Sequence, residues 1–323
     1  MNGSGLNFEK PILELERKIK ELKNFSNAEN LDLNKDIKRL ENRLEKLKKD
    51  IYDNLTAWQR IQIARHPKRP YTLDYIEMIM TDFVELHGDR LFGDDKALIG
   101  GLAKLDGQPL VVIGHQKGKD TKGNLVRNFG CAHPEGYRKA MRLFKMAEKF
   151  HFPILSLIDT PGAYPGIGAE ERGQAEAIAE NLSAMSQLRT QILVVVIGEG
   201  GSGGALGIGV GDRICILENA YYSIISPEGC AAILWKERRK APDAAQALKL
   251  TAKDLLNLEI VDEVIPEPLG GAHRNPRETA DNLKEAVLRH LKELTKLSLD
   301  ELSKLRYQKF RKIGIFKEKG EDK

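Results

Sequence analysis

Apolar positions in the first fifty residues recur at helical spacing. Ile12, Leu15, Ile19 and Leu22 are spaced 3-4-3, and Ile37, Leu40, Leu44, Leu47 and Ile51 are spaced 3-4-3-4. Each series lays an apolar face amid Lys and Glu, and a polar stretch around Asn24–Asn34 separates the two. Residues 1–65 therefore read as a helical hairpin. It is short enough to need packing on a main domain or a partner subunit. RHPKRPY at 65–71 then breaks helix, since each Pro disfavours helix at the residue before it.

From 66 to 297 the pattern changes. Ile76, Ile79, Met80 and Phe83 predict a helix, followed by the Gly/Asp loop HGDRLFGDD at 87–95. Apolar runs at 97–105 and 109–114 joined through Asp106-Gly107 predict a β-hairpin. A helix over 135–150, with Tyr137, Met141, Phe144 and Ala147 on one face, leads to a strand at 153–158. A loop (159–168), a helix (169–187), a strand (192–197) and a small-residue helix from about Ala205 follow. Strands at 214–217 and 222–225 precede a short helix started by Ser226-Pro227. The rest is mainly helical with one strand at 260–265. Ser298 and Glu301 form a capping box for a final helix in 298–323, and the tail KEKGEDK reads as frayed. Strand–helix alternation of this kind predicts an α/β fold of right-handed βαβ units.

Composition narrows the class. In 323 residues, 41% hydrophobic and 30% charged content describes a soluble globular chain, and a net charge of +4 gives no reason to expect a nucleic-acid partner. No apolar run approaches the roughly 20 residues of a membrane span, and no signal-peptide core is seen. Cys131, Cys215 and Cys230 form no CxxC pair, so the sequence signals neither a metal site nor a disulfide framework. A reducing, cytoplasmic-type compartment is the expectation.

The chemistry concentrates at Gly198-Glu199-Gly200-Gly201-Ser202-Gly203-Gly204, directly after an aliphatic strand. Such a turn opening a helix gathers unpaired N–H groups and suits an anion or oxyanion. Three patterns overlap there. Gly198, Gly200 and Gly203 match G-x-G-x-x-G with Glu218 downstream, but the next strand begins too soon for a dinucleotide-binding crossover. Gly200, Ser202 and Gly204 match the nucleophile elbow G-x-S-x-G, with His273 and His290 as possible downstream bases of a serine hydrolase. Asp159-Thr160-Pro161-Gly162 resembles a nucleotide switch, yet the chain holds no G-x-x-x-x-G-K-[ST], so that reading fails. What remains is a pair of strands, 153–158 and 192–197, each ending in a glycine turn. Adjacent and parallel, they would bring both turns to the sheet edge where α/β folds bind ligands. Backbone donors there would form an oxyanion hole.

At these residues the chain resembles the α subunits of bacterial and plastid acetyl-coenzyme A carboxylase carboxyltransferase. The strings that carry the likeness are RHPKRPYTLDY (65–75), GHQKG (114–118), RNFG (127–130), PEGYRKA (134–140), IDTPGAYPG (158–166), AEERGQ (169–174), IGEGGSGGAL (197–206), ISPEGCA (225–231) and IPEPLGGAHRNP (265–276). The resemblance implies a crotonase-superfamily spiral of βαβ repeats carrying the N-terminal hairpin and C-terminal helices. It implies a zinc-bearing β subunit in an α2β2 assembly, a biotin carboxyl carrier protein, and a biotin carboxylase that uses the ATP. The reaction implied is transfer of carboxylate from carboxybiotin to acetyl-CoA, giving malonyl-CoA, in the cytoplasm or plastid stroma. By the same resemblance, Gly203 and Gly204 face the biotin ureido oxygen and Gly200 and Gly201 line the cavity, while Gly162 and Ala163 either line it too or form a purely structural tight turn.

Some of the other residues keep two readings. Arg274 is a candidate anchor for substrate or the β subunit. Lys117, Lys119, Lys122 and Arg127 either meet CoA phosphates or form a solvated basic loop. Glu170, Glu171 and Arg172 suit helix capping. Tyr164 and the run Tyr221–Ile225 suit packing, and Cys230 a core position.

Overall fold

The computed structural model describes residues 6–29 and 31–314. The tail read above as frayed lies outside them. Helices α1 (Lys10–Glu29) and α2 (Asn34–Tyr52) form the hairpin, joined through Ile12, Ile19, Leu44 and Tyr52. Ile63 of α3 (Ala57–Ala64), a helix begun by a Thr56–Gln59 capping box, completes this small core and ties the hairpin to the rest of the chain.

Helix α4 (Thr72–Ile79) stops sooner than its apolar spacing suggests. Residues 81–85 form edge strand β1 (Thr81–Glu85), so Phe83 lies on a strand. Antiparallel pairing with β2 (Leu98–Leu105) overrides the helical periodicity there. Strand β3 (Gln108–His115) returns beside β2 through Asp106 and Gly107, both at positive φ as a two-residue hairpin turn requires.

Three βα units then build the parallel part of the sheet. Helices α5 (Thr121–Val126) and α6 (Pro134–Phe150) lead to β4 (Ile154–Thr160). The single helix expected over 169–187 is two, α7 (Ile167–Glu171) and α8 (Gln174–Gln187), broken where Gly173 adopts φ +79°. Strand β5 (Ile192–Gly201) runs four residues past its expected end, and α9 (Ser202–Leu206) begins at once. Strands β6 (Arg213–Leu217) and β7 (Tyr221–Ser223) follow, then α10 (Pro227–Trp235), α11 (Ala241–Ala247) and α12 (Ala252–Asn257). Strand β8 (Glu263–Ile265) and helices α13 (Pro276–Leu294) and α14 (Leu299–Lys312) close the described chain.

The strand order is β1-β2-β3-β4-β5-β6-β8, parallel from β3 onward. The first half of β5 pairs with β6, and its end, Glu199–Gly201, pairs with β7. That switch of neighbour turns the sheet at the level of the glycine loop. Every residue of β4 and β5 is buried. This is why they read as unbroken apolar runs rather than alternating ones. Tyr137, Leu143, Phe144 and Ala147 of α6 and Ala177 and Met185 of α8 pack into the same core.

Candidate oxyanion site at the sheet edge

Strands β4 and β5 run in register from Ile154–Ile192 to Ile158–Val196, and the register shifts before Thr160 meets Gly200. The two turns then interlock. A Cβ on Gly201 would collide with the Pro161 carbonyl, and one on Gly204 with the Gly162–Ala163 peptide. Only glycine lets the backbones approach this closely. The first turn is held by Thr160, whose Oγ1 accepts the Gly162 N–H at 3.1 Å and donates to the Gly162 carbonyl at 2.8 Å.

No side chain caps the start of α9. The opening N–H groups of a helix have no partner within it, so the Gly203 and Gly204 amides are left as donors. The carbonyl side is fixed instead. Tyr137 Oη donates to the Gly204 carbonyl at 3.3 Å, and Asn181 Nδ2 to the Gly207 carbonyl at 2.8 Å. Gly204 is buried and Gly203 half-buried, while Ser202 is exposed at φ +54°. Of the predicted residues, Gly162, Ala163, Gly200, Gly201, Gly203 and Gly204 thus come together at one sheet edge.

A charge cluster braces the same edge. Lys117 Nζ lies 2.6 Å from Asp159 Oδ1 and 2.8 Å from Glu199 Oε1, so one ammonium joins the ends of β4 and β5. Glu199 Oε2 also accepts from Arg65 Nε and Tyr221 Oη, both at 2.7 Å, and Asp159 Oδ1 accepts the Glu199 N–H at 2.9 Å. Burial opposes charge on Glu199, but the Lys117 and Arg65 cations outweigh it and hold the carboxyl well below its ordinary range. Burial likewise opposes charge on Lys117, and its two carboxylates raise its pKa above the lysine value. His115, fully buried at the end of β3, is pushed down to about 3 by burial and by the Lys117 charge, against the pull of the Asp95 carboxylate. It is a neutral imidazole beside the glycine corner.

Lys117 is therefore neither a solvated loop residue nor a free cation for CoA phosphates. Lys119 pairs with Asp74 at 2.5 Å. No part in such a charge cluster was expected of Arg65, Asp159 and Glu199 from sequence. The available signal was a lone carboxylate at the end of two separate, otherwise apolar strands.

Two cavities flank the corner. One of about 280 Å³ is lined by Arg65, Tyr71, Lys117, Phe129, Pro161 and Glu199. The other, about 300 Å³ and apolar, is bounded by Ser202, Leu206, Tyr222, Ile224, Leu255 and Phe310. Arg274 lies elsewhere, facing Glu16 Oε2 at 3.3 Å and Glu9 Oε1 at 3.5 Å on the hairpin. Arg172 pairs with Glu135 at 2.9 Å, Tyr164 stacks on His133 at 4.1 Å, and Cys230 is buried. The downstream histidines of the hydrolase reading are engaged away from Ser202. His273 stacks on His66 at 3.9 Å, and His290 contacts Glu263 at 2.7 Å. Cys215, Glu263 and His290 come within 4.8 Å of one another, but Glu263 is also claimed by Arg289 at 2.6 Å, which makes the group an ion-pair cluster.

The fold is one that solved transcarboxylase and decarboxylase structures share. Transcarboxylase 12S, a hexameric multienzyme core, superposes with a TM-score of 0.54 at 20% identity, over 67% of this chain and 41% of that one. A Pseudomonas malonate decarboxylase hetero-tetramer in complex with coenzyme A gives 0.56 at 16% identity, over 68% and 90%. Residues 5–314 match the family model for acetyl co-enzyme A carboxylase carboxyltransferase-like proteins, and the chain belongs to that family. It is 60% identical to the acetyl-coenzyme A carboxylase carboxyl transferase subunit alpha of Geobacter metallireducens, over 97% of this chain and 98% of the relative. The protein of the same name from Thermus thermophilus is 59% identical, over 97% and 99%. None of these relatives is a serine hydrolase. Among the described residues no helix is long and apolar enough to cross a membrane.

Proposed function

We propose that this chain moves carboxylate from carboxybiotin to acetyl-CoA, with the Gly203 and Gly204 amides facing the ureido oxygen. That oxygen gains negative charge as the carboxyl group leaves. Two fixed donors stabilise it more than they stabilise the neutral substrate, which lowers the barrier rather than merely tightening binding. The freed ring nitrogen would then be the base for a proton of the acetyl methyl group, and the carbanion so formed would add to the released CO2 to give malonyl-CoA. Gly162, Ala163, Gly200 and Gly201 shape the backbone wall of this pocket. Arg274, held by Glu9 and Glu16, serves the hairpin in this reading.

The assembly proposed is α2β2, with zinc in the β subunit, carboxybiotin on a biotin carboxyl carrier protein, and a separate biotin carboxylase spending the ATP in the cytoplasm or plastid stroma. Residues 1–65 are the N-terminal helical hairpin, 66–297 the carboxyltransferase domain and 298–323 the C-terminal helix and tail. The observation that carries the reading is the interlock of Gly204 with the Gly162–Ala163 turn, which fixes the direction of uncapped amides.

The test is malonyl-CoA formation by this chain with a β subunit and carboxylated carrier. Gly204→Val keeps the amide but drives a side chain into the Gly162–Ala163 peptide and so displaces the donor; it should cost about 10²–10³ in kcat, the scale of a lost oxyanion donor. Wild-type turnover from the Val variant would remove the amides from the mechanism.

A further inference from the structure

We infer that Lys117 is a positioning residue that sets the separation of the two glycine turns, and that the strained segment Asn128–Gly130 keeps it in place. The inference rests on the glycine-corner reading above. Strands in a sheet lie about 4.8 Å apart, so a residue following β3 must cross β4 to reach β5. The long lysine stem does this, placing Nζ on Asp159, next to Thr160, and on Glu199, next to Gly200. Those neighbours are where the strand register shifts and the turns begin.

The stem itself is gripped. Asn128, Phe129 and Gly130 adopt φ of 46°, 55° and 83°, three consecutive left-handed residues of which two have side chains. Backbone of this kind is unfavourable and persists where the surroundings impose it. Its result is contact. A Cβ on Gly130 would stand 2.9 Å from Lys117 Cγ and 3.1 Å from the Asp159 carbonyl, so glycine there lies flat on the lysine stem. Two residues beyond this segment, the Ala132 carbonyl accepts the Tyr164 N–H at 3.0 Å, which ties the same stretch of chain to the first turn. Arg65 cannot replace the lysine. It touches Glu199, Tyr221 and Glu228, which secures the β5 end alone.

The experiment uses the chain assembled with its β subunit, with rates normalised to the assembled complex recovered by gel filtration. Lys117→Met should lower kcat about a hundredfold while KM for acetyl-CoA stays within twofold, and Lys117→Arg should recover at least tenfold of that loss. A purely structural role would reduce the yield of complex without changing kcat per complex. Lys117→Met leaves two buried carboxylates short of a cation, so Gly130→Ala serves as the second probe. It keeps every charge, presses on the stem, and should lower kcat about tenfold. Either variant, once assembled, that keeps kcat within threefold of wild type overturns the inference. Gly204→Val is run alongside. If it too is fully active, the glycine-corner reading has failed; if it alone is inactive, only the role of Lys117 has.

Discussion

Arg306 of α14 donates twice to Asp212, from Nε to Oδ1 and from Nη2 to Oδ2, both at 2.9 Å, with both side chains inside the protein. The same guanidinium also donates to the carbonyls of Met185, Leu188 and Thr190, and Asp212 accepts the N–H of Ile192, the first residue of β5. One arginine thus ties the last helix to the end of α8 and to the start of the strand that carries the glycine loop. Arg306→Met strands Asp212 and three carbonyls without their donors. Breaking a buried pair from one side costs about 3–5 kcal/mol. Urea unfolding should show a loss of that size, and Asp212→Asn in the same chain should return part of it. A loss under about 1 kcal/mol would contradict the assignment.

Arg69 plays a similar part at the other end of β5. It pairs with Glu267 through two nitrogens, at 2.7 and 2.8 Å, and donates to the Ile197 carbonyl at 2.9 Å. Glu267 also accepts the N–H groups of Asn219 and Ala272. An ammonium cannot reproduce that planar fork. Arg69→Lys should therefore destabilise by about 2 kcal/mol despite keeping the charge, each lost hydrogen bond to a charged group being worth about 1.5–3 kcal/mol. A thermal melt within a degree of wild type would show the fork to be dispensable.

Ser202 sits at φ +54°, a conformation that costs a side-chain-bearing residue about 1 kcal/mol or more relative to glycine. The strain resembles that of a hydrolase nucleophile, but here it follows from α9 starting directly at the strand end. Ser202→Gly should raise stability by about 1 kcal/mol and leave malonyl-CoA formation within a few-fold of wild type. An inactive glycine variant would return the hydroxyl to the chemistry.

Much of this architecture was legible because burial writes itself into composition. Strands β4 and β5 have no exposed residue and therefore no polar alternation, and Asp106-Gly107 announced its hairpin. Where the reading failed, a distant partner decided. Ile76, Ile79, Met80 and Phe83 keep helical spacing across a boundary that β2 imposes. Lys117 looked like one cation in a polar loop because its two partners lie 42 and 82 residues further along. The glycine turns were legible as turns. Their interlock was not, since the chain does not state which carbonyl a missing Cβ makes room for.

Glu9 gives the hairpin a dependence on acidity. It is buried between hairpin and body, accepts the Leu6 N–H at 3.0 Å and a hydrogen bond from Tyr52, and lies 3.5 Å from both His273 and Arg274. Burial opposes its charge, but the neighbouring His273 ring, the Tyr52 and Leu6 hydrogen bonds and the Arg274 cation prevail and hold it at about 2, against 4.5 for a free glutamate. A carboxyl depressed in the folded state contributes stability above its unfolded pKa and loses it as pH falls toward the folded one. Docking of the hairpin should hold at pH 6 and weaken from about pH 4.5 downward. The contribution is at most about 3 kcal/mol, at roughly 1.4 kcal/mol per pKa unit. Glu9→Gln removes the titrating charge. Compared at equal pH by hydrogen exchange, amides of α1 should be less protected in the Gln variant than in wild type at pH 6, and the difference should narrow toward pH 3. A gap that stays constant from pH 6 to pH 3 would mean that Glu9 holds the hairpin by shape and not by charge.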